Sequence, residues 1–266
     1  MPSKKYTHLF FDLDNTLWDF NSNSFEALHE TLIKLQLLGM IRSYEAFYKI
    51  YHEENERLWN LYRQGLMPKK ILSIERFETS FIKNGTPLKI SGGIVNELYL
   101  SEMVKQTKLI DGAREVLEYL HGRYRIAIIT NGFIEVQFDK ISGSGLSKYF
   151  TKIFVSEEIG SPKPGRKIFE HAIKSMNAPK KSSLMIGDSW EADIIGAMNF
   201  GIDQIYFNPQ MNNLPAGGVY FNANLNKDSN ITINSPSDLT PESENVRKIK
   251  INTTLINHLE QLLIIL

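Results

Sequence analysis

The sequence predicts an α/β protein: a parallel sheet covered by helices, with a separate helical domain inserted after the first strand. Three observations predict it. Short apolar runs, "LFF" at 9–11, "IAII" at 126–129, "LMI" at 184–186 and "IYF" at 205–207, each lead into Asp, Asn, Thr, Gly or Pro, as strands buried on both faces do. Helical stretches alternate with them: Ala113–Leu120, Ile134–Ile141, Lys167–Met176 and Ala192–Asn199. Finally, 116 positions separate Asp14 from Thr130, whereas a crossover between parallel strands needs only about a dozen.

In chain order, "LFFDLDNTLW" at 9–18 comes first. Leu9–Phe11 reads as the end of a buried strand. Asp12 and Asp14 then lie at its C-terminal mouth, where open α/β sheets bind ligands. Two carboxylates this close repel, so they need a cation, a shared proton or exposure to solvent. These ten residues alone fit an Asx-type turn at Asp14–Asn15 as well as an active site.

Residues 24–105 read as four antiparallel helices. Phe25, Leu28, Leu32 and Leu35 step by three and four; Tyr44, Phe47, Tyr51, Leu58 and Tyr62 form a second stripe; Ile74, Phe77 and Phe81 form a third. "KNGTP" at 83–87 interrupts it. The division expected is a core of residues 1–18 and 108–266 with a cap of residues 19–107. A cap above a catalytic mouth can exclude water and choose the substrate. Only 33 positions separate Thr130 from Lys163, enough for a helix, a strand and a loop but no second insertion.

Towards the end, 210–246 is rich in Asn, Ser and Pro and reads as a long surface excursion. "IKIN" at 249–252 then reads as an edge strand. "TTLINHLEQLLIIL" reads as a closing helix with Thr253 or Thr254 as its N-cap.

Composition narrows the chemistry. A hydrophobic content of 42% with 23% charged residues is that of an ordinary globular protein. Thirty basic residues balance thirty acidic ones, so neither nucleic acid nor an anionic membrane is expected as partner. The absence of cysteine excludes disulfides, thiolate metal sites and cysteine nucleophiles, and suits a cytoplasmic protein. No P-loop, H-E-x-x-H helix or G-x-S-x-G elbow occurs.

Each later motif adds one or two polar groups at or just after a strand mouth. "IITNG" supplies Thr130 and Asn131, "SPKP" holds Lys163 between two prolines, and "GDSWEAD" supplies Asp188 and Asp193. Singly, these are a strand-end hydroxyl, a solvated lysine, and a helix cap with a first-turn acid. Their arrival in this order at successive mouths argues for one shared site.

"FDLDNT", "IITNG", "SPKP" and "GDSWEAD" resemble, in order, the four motifs of the haloacid dehalogenase (HAD) superfamily, over residues 5–18 and 108–207. The insertion point is similar to that of the subfamily with a helical cap after the first motif. "LWNLYRQG" at 58–65, "RFE" at 76–78 and "VSEEIGSPKPGRKIFEHA" are similar to its pyrimidine 5′-nucleotidase branch. The resemblance implies a Rossmann-like core and a phosphatase for nucleoside monophosphates. The polar stretch 210–246 departs from that branch, which passes more quickly to its final helix.

The residues suit this chemistry independently. Mg2+ would offset the charge of a phosphate ester, since it takes carboxylates and substrate oxygens. Asp12 would be the nucleophile, forming an aspartyl-phosphate. Asp14 would protonate the leaving oxygen and then activate water. Asp12 and Asp188 would hold the metal, with the Asp14 main-chain carbonyl added by the resemblance. Asp193 would orient Lys163 or metal-bound water. Thr130, Asn131 and Lys163 would hold the phosphoryl oxygens. For a nucleobase, Trp18 is the first candidate to stack, followed by Trp59 and Tyr62, although aromatics at helical spacing more often belong to a core.

The partner expected is thus a small phosphorylated metabolite, best a nucleoside monophosphate. A phosphatase for a sugar phosphate or other small ester would keep every catalytic role. A metal-free haloacid dehalogenase would not need Asp14, and a non-catalytic binding module would be expected to lack one of the acids.

Overall fold

The computed structural model describes residues 5–211, 219–222 and 252–266. Its strands are β1 (His8–Phe11), β2 (Arg125–Thr130), β3 (Lys152–Val155), β4 (Ser183–Gly187), β5 (Asp203–Phe207), β6 (Val219–Asn222) and β7 (Asn252–Ile256). The α-helices are α1 (Phe20–Lys34), α2 (Tyr44–Arg63), α3 (Lys69–Lys83), α4 (Gly92–Met103), α5 (Ala113–Leu120), α6 (Ile134–Gly143), α7 (Ser156–Ile159), α8 (Arg166–Met176), α9 (Gly196–Phe200) and α10 (Leu262–Ile265). A stretch of π-helix, Trp190–Ile195, runs directly into α9.

The chain separates into two compact units. One comprises residues 1–18, 109–132 and 146–266; the other comprises 19–108 and 133–145. The first unit is built on a sheet of order β3-β2-β1-β4-β5-β7-β6. Every strand pair in it is parallel. From β1 the chain moves outward through β2 and β3, then returns to place β4 on the other side of β1. That reversal makes the β1/β4 boundary the switch point, where the strand ends open a crevice. Phe10, Ala127, Ile129 and Met185 pack on one face with Ile168, Phe169 and Ala172 of α8 and Ala197 and Phe200 of α9. Leu9 and Phe11, pointing the other way by strand alternation, are equally buried.

The second unit packs α2 on α3, α1 on α4 and α3 on α4. Side-chain caps start three of these helices: Asp19 for α1, Ser43 for α2 and Ser91 for α4 each accept a first-turn N–H. Leu28, Leu32, Phe47, Tyr51, Leu58, Phe77 and Phe81 are buried, whereas Phe25, Leu35, Tyr44, Tyr62 and Ile74 from the same stripes keep partial exposure.

Three expectations need correction. Helix α6 groups with the helical unit rather than the sheet. Its Val136, with Phe133 before it, joins Leu58 and Leu72, and Leu100 and Val104 pack against that cluster. Lys108 belongs to the helical unit too, one residue beyond the expected boundary. Thr253 and Thr254 lie inside β7 rather than capping a helix, which shortens the closing helix to α10. Their β-branched side chains favour a strand, and β5 offers a free edge to pair with. The stretch 210–246 lies largely outside the described residues, but its Val219–Asn222 is a strand paired with β7. Of the expected strand at 249–252 only Asn252 is described. Among the described residues no helix is long and apolar enough to cross a membrane.

Candidate active site

At the switch point, β1 runs directly into Asp12, whose N–H continues the ladder by donating to the Ile186 carbonyl (2.9 Å). The next residues coil tightly. Leu17 and Trp18 N–H both donate to the Leu13 carbonyl at 2.9 Å, and Asn15 takes a left-handed conformation (φ 62°) that asparagine tolerates. This turn leaves Asp14 half-buried, with its main chain bridged to Trp18.

The third residue after Phe11 that matters is Thr16, which sequence reasoning missed. Its hydroxyl donates to Asp188 Oδ1 and accepts the Asp188 N–H, both at 3.0 Å. The loop after β1 thereby fixes the first residue beyond β4. The threonine in "DNT" was the available signal, but nothing local says which distant carboxylate it holds.

Lys163 reaches the same place from the loop before α8. Its Nζ lies 2.5 Å from Asp12 Oδ1, 2.6 Å from Asp193 Oδ1 and 2.7 Å from the Ile129 carbonyl. An ammonium has three protons, so all are committed within the protein. To hold a phosphoryl oxygen, as the sequence reading expected, Lys163 would have to exchange one of these partners. The lysine is not solvated: it is 2% exposed.

Asp193 is placed by the π-helical turn. Asp193 and Ile194 N–H both donate to the Ser189 carbonyl, and Asp193 Oδ2 accepts the Ser189 N–H (3.1 Å). Its carboxylate lies against the end of β4, so a Cβ on Gly187 would stand 2.3 Å from Asp193 Oδ2. Only glycine fits beneath it. The loop after β2 is equally fixed. Asn131 Nδ2 donates to the Lys163 carbonyl (3.0 Å), Asn131 Oδ1 accepts the Lys163 N–H (2.8 Å), and buried Thr130 accepts the Gly132 N–H (3.1 Å).

Asp12, Asp188 and Asp193 each bring a carboxylate oxygen within 4.8 Å of the others. The expected metal ligands Asp12 and Asp188 are thus together, and the third carboxylate of the group is that of Asp193. Burial pushes the Asp12 carboxyl up to about 7; Lys163 opposes the shift, and Asp193 and Asp14 add to it. Burial, then the charges of Asp12 and Asp193, raises Asp188 well above the usual carboxylate range. Burial works against the Lys163 ammonium, yet the two aspartates outweigh it and hold its pKa above the ordinary value. With all three ionised, the carboxylates would outnumber the one ammonium by two negative charges in a largely buried place. A divalent cation fits that deficit, and oxygen donors suit Mg2+.

This constellation of four motifs at one switch point decides the family, and the comparisons agree. A family model described as haloacid dehalogenase-like hydrolase matches residues 6–201. The chain belongs to the haloacid dehalogenase-like hydrolases. It is therefore an enzyme, and its relatives in the family include phosphatases. The chain is 31% identical over 214 residues to the pyrimidine 5′-nucleotidase YjjG of Escherichia coli (strain K12), covering 80% of this chain and 91% of that protein. It is 33% identical over 206 residues to the pyrimidine 5′-nucleotidase PynA of Streptococcus pneumoniae (strain ATCC BAA-255 / R6), covering 77% and 84%. Among solved structures, the HAD-hydrolase YfnB of Bacillus subtilis, bound to magnesium, matches with a TM-score of 0.73 at 29% identity, covering 80% of this chain and 93% of that one.

The aromatic candidates of this HAD hydrolase separate. Trp18 is 0% exposed, with main-chain bridges to Asp14 and Leu109. It has no surface on which to stack a base, which corrects the expectation that it leads the substrate contacts. Trp59 and Tyr62 keep partial exposure in the helical unit. Both rings lie against Phe133, with centroids 4.7 Å and 6.2 Å away.

Proposed function

We propose that this HAD hydrolase is a Mg2+-dependent phosphomonoesterase working through an aspartyl-phosphate, with pyrimidine nucleoside monophosphates as its substrates. The observation that carries the catalytic part lies at the β1/β4 switch point. There the buried Lys163 ammonium pairs with buried Asp12 and Asp193, and half-buried Asp188 brings a third carboxylate oxygen within 4.8 Å of theirs. The names of the two nucleotidase relatives support the substrate part.

In this reading Asp12 attacks phosphorus, the bond to the leaving oxygen breaks, and the phosphoryl group passes to the carboxylate. Asp14, half-buried beside it, gives its proton to the leaving alkoxide and later takes one from the attacking water. The Thr130 hydroxyl, Asn131 and the amides of their loop receive the phosphoryl oxygens. Asp12, Asp188 and the Asp14 carbonyl would hold Mg2+, which when bound would supply positive charge against the phosphoryl group. Asp193 keeps Lys163 in place, and Lys163 neutralises Asp12 until a phosphoryl oxygen replaces one of its partners. The cellular setting expected is the cytoplasm.

The test is a panel of nucleoside monophosphates, sugar phosphates and a haloacid, each with Mg2+ and with EDTA. Mg2+-dependent release of phosphate, highest kcat/KM for pyrimidine nucleotides, is the expected result. A preference for sugar phosphates would overturn the substrate part, and chloride release without metal would overturn the reaction.

A further inference from the structure

Two hydrogen bonds of opposite sense join the loop after β1 to the residue that follows β4, and one hydroxyl makes both. Thr16 Oγ1 accepts the Asp188 N–H and donates to Asp188 Oδ1, each at 3.0 Å. A hydroxyl has a single proton. The amide supplies the proton of the first bond, so the hydroxyl's own proton goes to the carboxylate. Thr16 is fully buried, yet the turn it belongs to does not use its side chain. That turn closes through the main chain. The Asn15 N–H donates to the Trp18 carbonyl at 2.7 Å, and the Leu17 and Trp18 N–H groups donate to the Leu13 carbonyl at 2.9 Å. Among the described residues, nothing donates a hydrogen bond to Asp188 Oδ2. One carboxylate oxygen is thus held and the other left over.

We propose that Thr16 is a positioning residue for cation binding: by holding Oδ1 of Asp188, it presents Oδ2 alone as a metal ligand. The proposal rests on the reading that Asp188 holds Mg2+. Thr16 touches neither cation nor substrate. Mg2+ demands near-ideal octahedral geometry, whereas Ca2+ accepts one carboxylate oxygen or both in flexible geometry. A carboxylate with one oxygen engaged offers a single ligand atom in a fixed orientation, which suits the smaller ion. Without the hydroxyl, Asp188 can turn and offer both oxygens. Thr16 therefore favours Mg2+ over Ca2+ through a bond that neither ion makes. A threonine serving only to fill the turn could be replaced by valine, which has the same shape, with no change in either affinity.

Mg2+ and Ca2+ are the probes, and their affinities for the full chain without substrate are read by calorimetry. Thr16→Val should weaken Mg2+ binding by about 10- to 100-fold, the usual cost of removing a group that orients a metal ligand. Ca2+ binding should weaken by less, so the preference for Mg2+ falls. Thr16→Ser keeps the hydroxyl and should retain most of the affinity for both ions. Should Thr16→Val not fold, Thr16→Ala, which leaves room beside the Asp188 N–H, should show the same fall in preference. Unchanged Mg2+ affinity in folded Thr16→Val or Thr16→Ala overturns the proposal. So does an equal loss for both ions, which a merely loosened turn would give, and so does a loss in Thr16→Ser as large as in Thr16→Val. Asp188→Ala serves as the separate check. If it leaves Mg2+ affinity intact, the reading of Asp188 as a metal ligand falls, and the proposal with it. If it weakens Mg2+ binding while Thr16→Val does not, the proposal alone falls.

Discussion

Lys163 Nζ donates to Asp193 Oδ1 at 2.6 Å, and the two side chains are 2% and 0% exposed. A second carboxylate, Asp12, shares the same ammonium. Removing the charge by Lys163→Met would strand buried aspartates without a cation, a change that costs about 3–5 kcal/mol. The variant should melt well below the parent protein in EDTA. Acid pH should narrow the gap by protonating Asp12, whose carboxyl burial already raises, and thermal melts at pH 5.5 and 8 check it.

Asp12→Asn should lower kcat by about 10⁴-fold or more, because the amide is a poor nucleophile and groups acting as a unit fail together. Its melting temperature should change little, since one desolvated, repelled charge leaves as Lys163 loses one of three partners. Turnover near the parent rate in the folded variant would remove the covalent route.

Asp14→Asn tests the proton transfer. The loss should be about 10²–10⁴-fold for a nucleotide and much smaller for an aryl phosphate, whose leaving group needs no proton. Equal losses on both substrates would take Asp14 out of the acid role.

The raised Asp12 carboxyl gives a signed dependence on pH. Its pKa is about 7 in the folded chain against an ordinary value of 3.8, so between those limits the folded state holds the extra proton. The stability this contributes is complete below the ordinary value and is lost as pH rises through about 7, with a slope of at most about 1.4 kcal/mol per pH unit. Metal needs the ionised carboxylates. Melts in EDTA should therefore fall from pH 5.5 to 8, while the rise in melting temperature on adding Mg2+ should grow over the same range.

Trp18→Ala should cost about 3–5 kcal/mol, as for other large buried side chains. Any loss of kcat/KM should be equal for a nucleotide and an aryl phosphate. A rise in KM confined to nucleotides would return Trp18 to the substrate.

Much of this was legible in the chain because a buried parallel strand is a continuous apolar run, and a polar residue at its end must face the crevice. Asp12, Thr130 and Asp188 were found that way, each from a few adjacent letters. Lys163 was found only by its order among the motifs; its burial between two aspartates depends on residues 151 and 30 positions away. Thr16 and Gly187 were missed for the same reason, since what makes each necessary is a carboxylate contributed by another segment. Trp18 was misread because nearness in sequence to a reactive loop does not say which way an indole points. The closing segment was misread because "LINHLEQLLIIL" has helical spacing, while the vacancy beside β5 that recruits its start is invisible in one dimension.

The strand order β5-β7-β6 has a bearing on assembly. β6 is synthesised before β7, yet pairs with nothing but β7 among the described strands. It can dock only after residues 252–256 have slotted in beside β5, closing a loop of 45 positions from Phe207 to Asn252. Until then β5 presents an open rim of unpaired amides and carbonyls, the kind of template that captures strands from other molecules. β7, the last of the described strands in chain order, thus acts as a keystone, and chains halted before it would be those most prone to clump while the catalytic half of the sheet is already in place.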